Sequence, residues 1–312
     1  MYKLKENPED FIVNEVTNIK TKDSGRFFYY WMTKKNYNGH DALKIIADRL
    51  NVRSKFIGFA GTKDRAAITK QLISITSTTK QKIDALNLKD IKLDFFGLGD
   101  IPISLGDLKG NEFIITIRNL ERQPNLEKNK FINYFGKQRF SKNNSDVGKA
   151  ILQKKFKKAI ELILEKDGNY EKNMRYFLQT NSKNNIGALR LVPRKILKMF
   201  VHAYQSKLWN DTASFCVENK IKIKQIPIVG FGTEFENEEI ESFLQEKLKY
   251  DNLTQRDFIV QSIPELTSEG NDRDLFIDTE IKLLEKTDDM IKIEFFLQKG
   301  AYATEVIRQL LV

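Results

Sequence analysis

Asp64 stands between Lys63 and Arg65, directly after the apolar run Phe56-Ile57-Gly58-Phe59-Ala60 and Gly61, in a chain of 312 residues with formal net charge +10. Cations on both sides favour a charged carboxylate, the form that a nucleophile or an electrostatic stabiliser requires. The same three residues are also the usual make-up of a solvated loop tip, and spacing alone does not separate the two readings. A second segment could do different chemistry. Asn133-Tyr134-Phe135-Gly136-Lys137-Gln138-Arg139-Phe140 interleaves rings with amide and guanidinium groups. Rings can stack on an exposed base while the polar groups meet its edge, at about 1 to 3 kcal/mol per stacked base. Core aromatics beside a turn at Gly136 would read the same way.

The elements that must hold these residues follow from periodicity. Phe56 to Ala60 reads as a short buried strand, Gly61 permits a turn, and Leu72-Ile73-Ser74-Ile75 resumes a strand pattern, so Asp64 belongs where a strand ends. Residues 1 to about 118 are strand-rich, with Phe11-Ile12-Val13, Phe27 to Trp31, Ile91 to Phe95 and Phe113 to Ile117 as strands. One helix interrupts them, with Ala42, Leu43, Ile46, Ala47 and Leu50 as its apolar stripe and Asn38 or Asp41 as its cap. From about 122 to 250 the pattern is helical, and Ser141 to Ser145 reads as its clearest loop. Strand alternation returns in Ile291 to Leu297, ahead of a last helix carrying Val306, Ile307 and Leu310. A strand-rich beginning and end around a helical middle predicts a discontinuous α+β domain with an insertion.

Composition bounds the function. The 52 Lys and Arg against 42 Asp and Glu point to a polyanionic partner, and nucleic acid is the commonest one inside cells. A single cysteine, Cys216, excludes an internal disulfide and a multi-cysteine zinc site, and two histidines, His40 and His202, make no metal cage. Cys216 reads as a small core residue and both histidines as structural or solvated. No apolar stretch is long enough to span a bilayer, and the opening Met1 to Glu6 lacks the apolar core of a signal peptide. A cytoplasmic, monomeric protein without an obligate protein partner is expected.

Five colinear segments resemble the TruD family of tRNA pseudouridine synthases, in its archaeal type. They are Lys5 to Phe11; Gly61-Thr62-Lys63-Asp64-Arg65 with Ala67, Thr69 and Gln71; Leu105 to Asn111; Asn133 to Phe140; and Gly300-Ala301-Tyr302-Ala303-Thr304. The resemblance implies a pseudouridine synthase fold, α+β with a mixed, largely antiparallel sheet, interrupted by the family's helix-rich inserted domain. Residues 1–154 with 276–312 would form the catalytic domain and 155–275 the insertion. It implies isomerisation of a uridine in tRNA, expected at position 13, with no cofactor and no metal. By similarity Asp64 is the catalytic aspartate and Lys5 its ion-pair partner, while Phe11, Asn133, Phe135 and Tyr302 bind the displaced uracil. Lys63, Arg65, Lys109 and Arg139 are expected at RNA phosphates, Arg139 with a scaffold role as its alternative. Tyr302 stands where bacterial relatives usually have Phe. The Gln205 to Asn210 stretch also resembles the family and is expected to pack on a helix of the insertion, leaving Lys207 free. An RNA-binding module or tRNA chaperone with little isomerase activity is the alternative function. Asp64 separates the two, because binding alone has no need of it.

Overall fold

The protein is described here by a computed structural model, over residues 2–311. It divides into two compact units, Met1–Phe131 with Asp278–Val312, and Ile132–Ile277. The second crossing falls within two residues of the boundary expected from sequence. The first falls at 131/132 and not at 154/155. The reason is local: the helix Asn144–Leu152 packs along the helix Arg194–Glu218 of the second unit. The approach is close enough that a Cβ on Gly148 would lie 2.1 Å from the Phe200 carbonyl oxygen.

The first unit is built on an eight-stranded sheet. Its strands are β1 (Phe11–Val16), β2 (Phe27–Lys35), β3 (Ile57–Phe59), β4 (Ile68–Ile75), β5 (Ile91–Gly99) and β6 (Gly110–Arg118), and the later β11 (Lys282–Lys286) and β12 (Met290–Gln298). The order is β11-β12-β6-β1-β4-β2-β5, with β3 also on β4. The β1·β4 pair is parallel and the other pairs are antiparallel, so the sheet is mixed and largely antiparallel as expected. Helix α1 (Gly39–Leu50) covers one face, packing Ala42, Leu43, Ile46, Ala47 and Leu50 on Tyr30, Met32, Ile73 and Ile75. Its cap is Asn38, whose side chain accepts from the His40 N–H. A short α2 (Lys80–Asp84) and the terminal α10 (Ala303–Leu310) complete this unit. Among the described residues no helix is long and apolar enough to cross a membrane.

Short strands β7 (Lys130–Ile132) and β10 (Phe276–Asp278) lie at the two crossings of the chain. The second unit is helical, with α3 (Lys137–Phe140), α4 (Asn144–Leu152), α5 (Phe156–Ile163), α6 (Asn169–Thr180), α7 (Asn185–Leu189), α8 (Arg194–Glu218) and α9 (Glu238–Tyr250). One antiparallel ladder joins β8 (Gln225–Ile228) to β9 (Asn271–Asp274). Cys216 is fully buried on α8, as its surroundings in the sequence suggest. The segment 141–145 is not all loop: α4 starts at Asn144. Asn143 and Asn144 are buried, donating to the Leu162 and Arg139 carbonyls, so these asparagines tie helices together.

Candidate active site

The position of Asp64 follows from how β4 shares one edge between two strands. β1 pairs with the start of β4, Ile12 opposite Ile68 through Asn14 opposite Lys70, and β3 pairs with its end, Phe59 opposite Ile73 through Ile57 opposite Ile75. The link from β3 back to β4 is residues 60–67, so it must pass the start of β1. Between the two pairings the Leu72 N–H has no strand partner. The Glu15 carboxylate accepts it at 3.2 Å and also holds the Lys63 ammonium at 2.6 Å. Gln71 donates to the Gly61 carbonyl at 3.4 Å, a weaker tie on the same loop.

Lys5 reaches Asp64 from the segment before β1. Asp10 anchors that segment, its carboxylate gripped by Arg118 of β6 at 2.7 Å while it accepts the Asn7 N–H at 3.0 Å. The Arg118 guanidinium holds the Asp10 carboxyl below the usual range. Lys3 and Arg118 exchange backbone hydrogen bonds, and Lys5 then adopts φ of 62°, a left-handed conformation uncommon for a residue with a side chain. From there its Nζ lies 2.5 Å from Asp64 Oδ2 and 4.0 Å from the centre of the Phe11 ring. The lysine is therefore held by a carboxylate and by an aromatic face together.

Lys63 differs from the sequence expectation. Its side chain is 6% exposed and its ammonium is paired with the buried Glu15 carboxylate, where the expectation was a cation held out to solvent. The physical reason is the split edge of β4, which needs Glu15 inside and therefore needs a buried cation beside it. Arg65 and Lys109 are exposed, as an RNA contact requires. Lys109 lies in the turn before β6, where Lys299 donates to the Gly106 and Lys109 carbonyls and so joins the Leu105 to Asn111 segment to the end of β12. Tyr302 follows as the N-terminal cap residue of α10, half-buried. Phe11 is buried, edge-on to Phe113 at 6.1 Å.

In the second unit Asn133, Phe135 and Arg139 also come together. Asn133 is buried and its amide is engaged at both ends, donating to the Asp274 carbonyl at 3.1 Å and accepting from Arg273 at 2.6 Å. The Phe135 main chain is clamped by Asn210, which accepts its N–H at 2.8 Å and donates to its carbonyl at 3.0 Å. Its ring meets Trp209 at a right angle, 5.6 Å between centres, with the Arg273 guanidinium 4.1 Å above it. Arg139 donates to Ser206 Oγ at 3.2 Å, which fits its scaffold alternative. Here Asn133 and Arg139 organise protein. Arg273 was missed in the sequence: a single arginine among acidic residues, Asn271-Asp272-Arg273-Asp274, carries no periodic or motif signal. The Gln205 to Asn210 stretch does pack on α8, with Trp209 fully buried and Lys207 exposed.

Neither histidine side chain bonds to these groups; the main-chain carbonyl of His202 accepts the Ser206 hydroxyl at 2.7 Å. His40 is exposed with its ring on Phe59, and burial followed by the nearby Arg139 and Lys198 charges lowers the pKa of His202.

Comparison with known proteins gives the arrangement its family. A family model described as tRNA pseudouridine synthase D (TruD) matches residues 2–171, 163–226 and 216–310. The tRNA pseudouridine synthase D of Aquifex aeolicus is 28% identical, over 99% of this chain and 97% of its own. A protein named as a probable tRNA pseudouridine synthase D from Methanosarcina acetivorans is 30% identical, over 98% of this chain and 92% of its own. A crystal structure of a TruD protein from Methanosarcina mazei, 27% identical, superposes with a TM-score of 0.75 over 99% of this chain and 93% of that one. The chain belongs to the TruD family, the tRNA pseudouridine synthases D, in its archaeal type.

Proposed function

We propose that this protein converts one uridine of tRNA, the one at position 13, to pseudouridine, with Asp64 as the catalytic carboxylate. It is an RNA-uridine isomerase. The bond between uracil N1 and ribose C1′ breaks, the base turns, and a bond from C5 to C1′ replaces it. The C5 proton leaves and N1 gains one, so the reaction balances without a cofactor.

The observation that carries the reading is the Lys5–Asp64 ion pair, 2.5 Å long and partly exposed, in a family member. A carboxylate so placed can act at C1′ while the lysine offsets its repulsion by RNA phosphates. Exposed Arg65 and Lys109 add cations for the RNA backbone. Tyr302, half-buried, supplies a ring for the displaced uracil, and Phe11 supports Lys5 from below. Asn133 and Phe135 enter as substrate-binding residues through their likeness to the family's second signature. With tRNA as substrate, a cytoplasmic monomer is the simplest form of the reading.

The test is incubation of an unmodified tRNA transcript with the protein, followed by mapping of pseudouridine along it. One new pseudouridine at position 13 supports the whole reading. Modification at another uridine removes the position, and no modification of any tRNA tried removes the function.

A further inference from the structure

Lys34 is the most deeply buried lysine of the site's surroundings. It lies on β2, on the face that packs Tyr30 and Met32 under α1, and is fully excluded from solvent. Burying an ammonium is costly unless it is bonded, and an apolar side chain would fill the same position without that cost. Its Nζ donates to the Tyr37 carbonyl at 2.7 Å and to the carbonyl of Asp64 itself at 2.8 Å. The loop also lies against the first turn of α1, since a Cβ on Gly39 would be 3.7 Å from the Lys63 N atom.

The charged groups facing Lys34 are Asp64 and Lys63, both on this loop. Lys63 is paired with Glu15 and Asp64 with Lys5. Beside it, the paired positions on β4 and β5 are Thr69 and Ile91, both uncharged. A fully buried cation cannot touch RNA, and its field is little screened by salt.

We propose that Lys34 is a positioning residue for the isomerisation, its ammonium holding the Asp64 backbone and supplying fixed positive charge beside the Asp64 carboxylate. The proposal rests on the reading of Asp64 as the catalytic carboxylate. Lys34 loses its proton far below the usual lysine range, at about 8, because burial and then Lys63 oppose the charge while Asp64 favours it. The rate of the chemical step should therefore fall as pH rises through about 8, although a neutral amine can still donate to both carbonyls.

The experiment measures single-turnover rate constants on saturating tRNA transcript from about pH 6.5 to about pH 9, for the wild type, Lys34→Met and Asp64→Asn, with tRNA affinity by filter binding. The wild-type rate is expected to break downward near pH 8. Lys34→Met is expected to be about 10- to 100-fold slower at neutral pH, without that break and with tRNA affinity within about twofold. A Lys34→Met rate equal to wild type, with Asp64→Asn inactive, overturns the role of Lys34 and leaves Asp64 standing. An active Asp64→Asn overturns both. If Lys34→Met does not fold, the wild-type profile decides: a rate that does not fall across this range overturns the proposal.

Discussion

Glu15 and Lys63 form an ion pair of 2.6 Å with side chains 0% and 6% exposed, one residue away from Asp64. Glu15 also takes the backbone N–H of Leu72, so the pair closes the gap in the β4 edge and fixes the loop. Breaking a buried pair by removing one partner leaves the other charge uncompensated, which costs about 3 to 5 kcal/mol. Glu15→Gln and Lys63→Met should each lower stability by that order in urea denaturation. The double variant should lose less than the sum of the two, because no charge is stranded. Additive losses would show that the two groups act independently.

Stability should depend on pH at both ends of the range. Asp10 has its carboxyl held low by Arg118, so its contribution is present above the unfolded value and is lost as pH falls through the lower folded value. Asp10→Asn should remove that acid-side dependence. Lys34 works with the opposite geometry: its folded value is about 8 against 10.5 unfolded, so between these the unfolded chain binds more protons. Stability from this group therefore rises with pH across that window, by up to about 3 kcal/mol. The difference in unfolding free energy between wild type and Lys34→Met, measured at pH 7 and near pH 10, should change by that order. A constant difference would contradict the burial of a charged Lys34.

Binding of tRNA should weaken steeply with salt. Each phosphate neutralised releases counterions, and a log–log slope of several units is expected for a groove with several lysines and arginines. Arg65→Ala and Lys109→Ala should each flatten the slope by about one unit, whereas Lys63→Met should leave it unchanged because that charge is internal. A slope altered by Lys63→Met and not by the other two would reverse the assignment.

Much of the fold around Asp64 is legible in the sequence. The stripe on α1, the strands on either side of Asp64 and the burial of Cys216 follow from local periodicity, while the cap of α1 is narrowed to Asn38 or Asp41 and only the fold selects Asn38. What was not legible depends on long-range pairing. Lys63 reads as a loop cation because the partner that buries it is not its neighbour Asp64; it is Glu15, far back in the chain and brought there by the parallel β1·β4 pair. Lys34 carries no motif signal, and the carbonyls of Tyr37 and Asp64 that bond its buried ammonium meet there only in the folded chain. The start of the second compact unit at Ile132 has a similar cause, since α4 joins whichever partner its apolar face meets, and that partner is α8. Arg273 and Asn210 are polar residues whose meaning lies only in what they clamp.

In the proposed reaction the Asp64 carboxylate, held by Lys5, carries out the isomerisation. Asp64→Asn keeps the shape and loses the charge, so single-turnover conversion of uridine in tRNA measured beside tRNA affinity tests it most directly. No detectable pseudouridine is expected, with affinity within a few-fold of wild type. Pseudouridine formed by Asp64→Asn at the wild-type rate would contradict it.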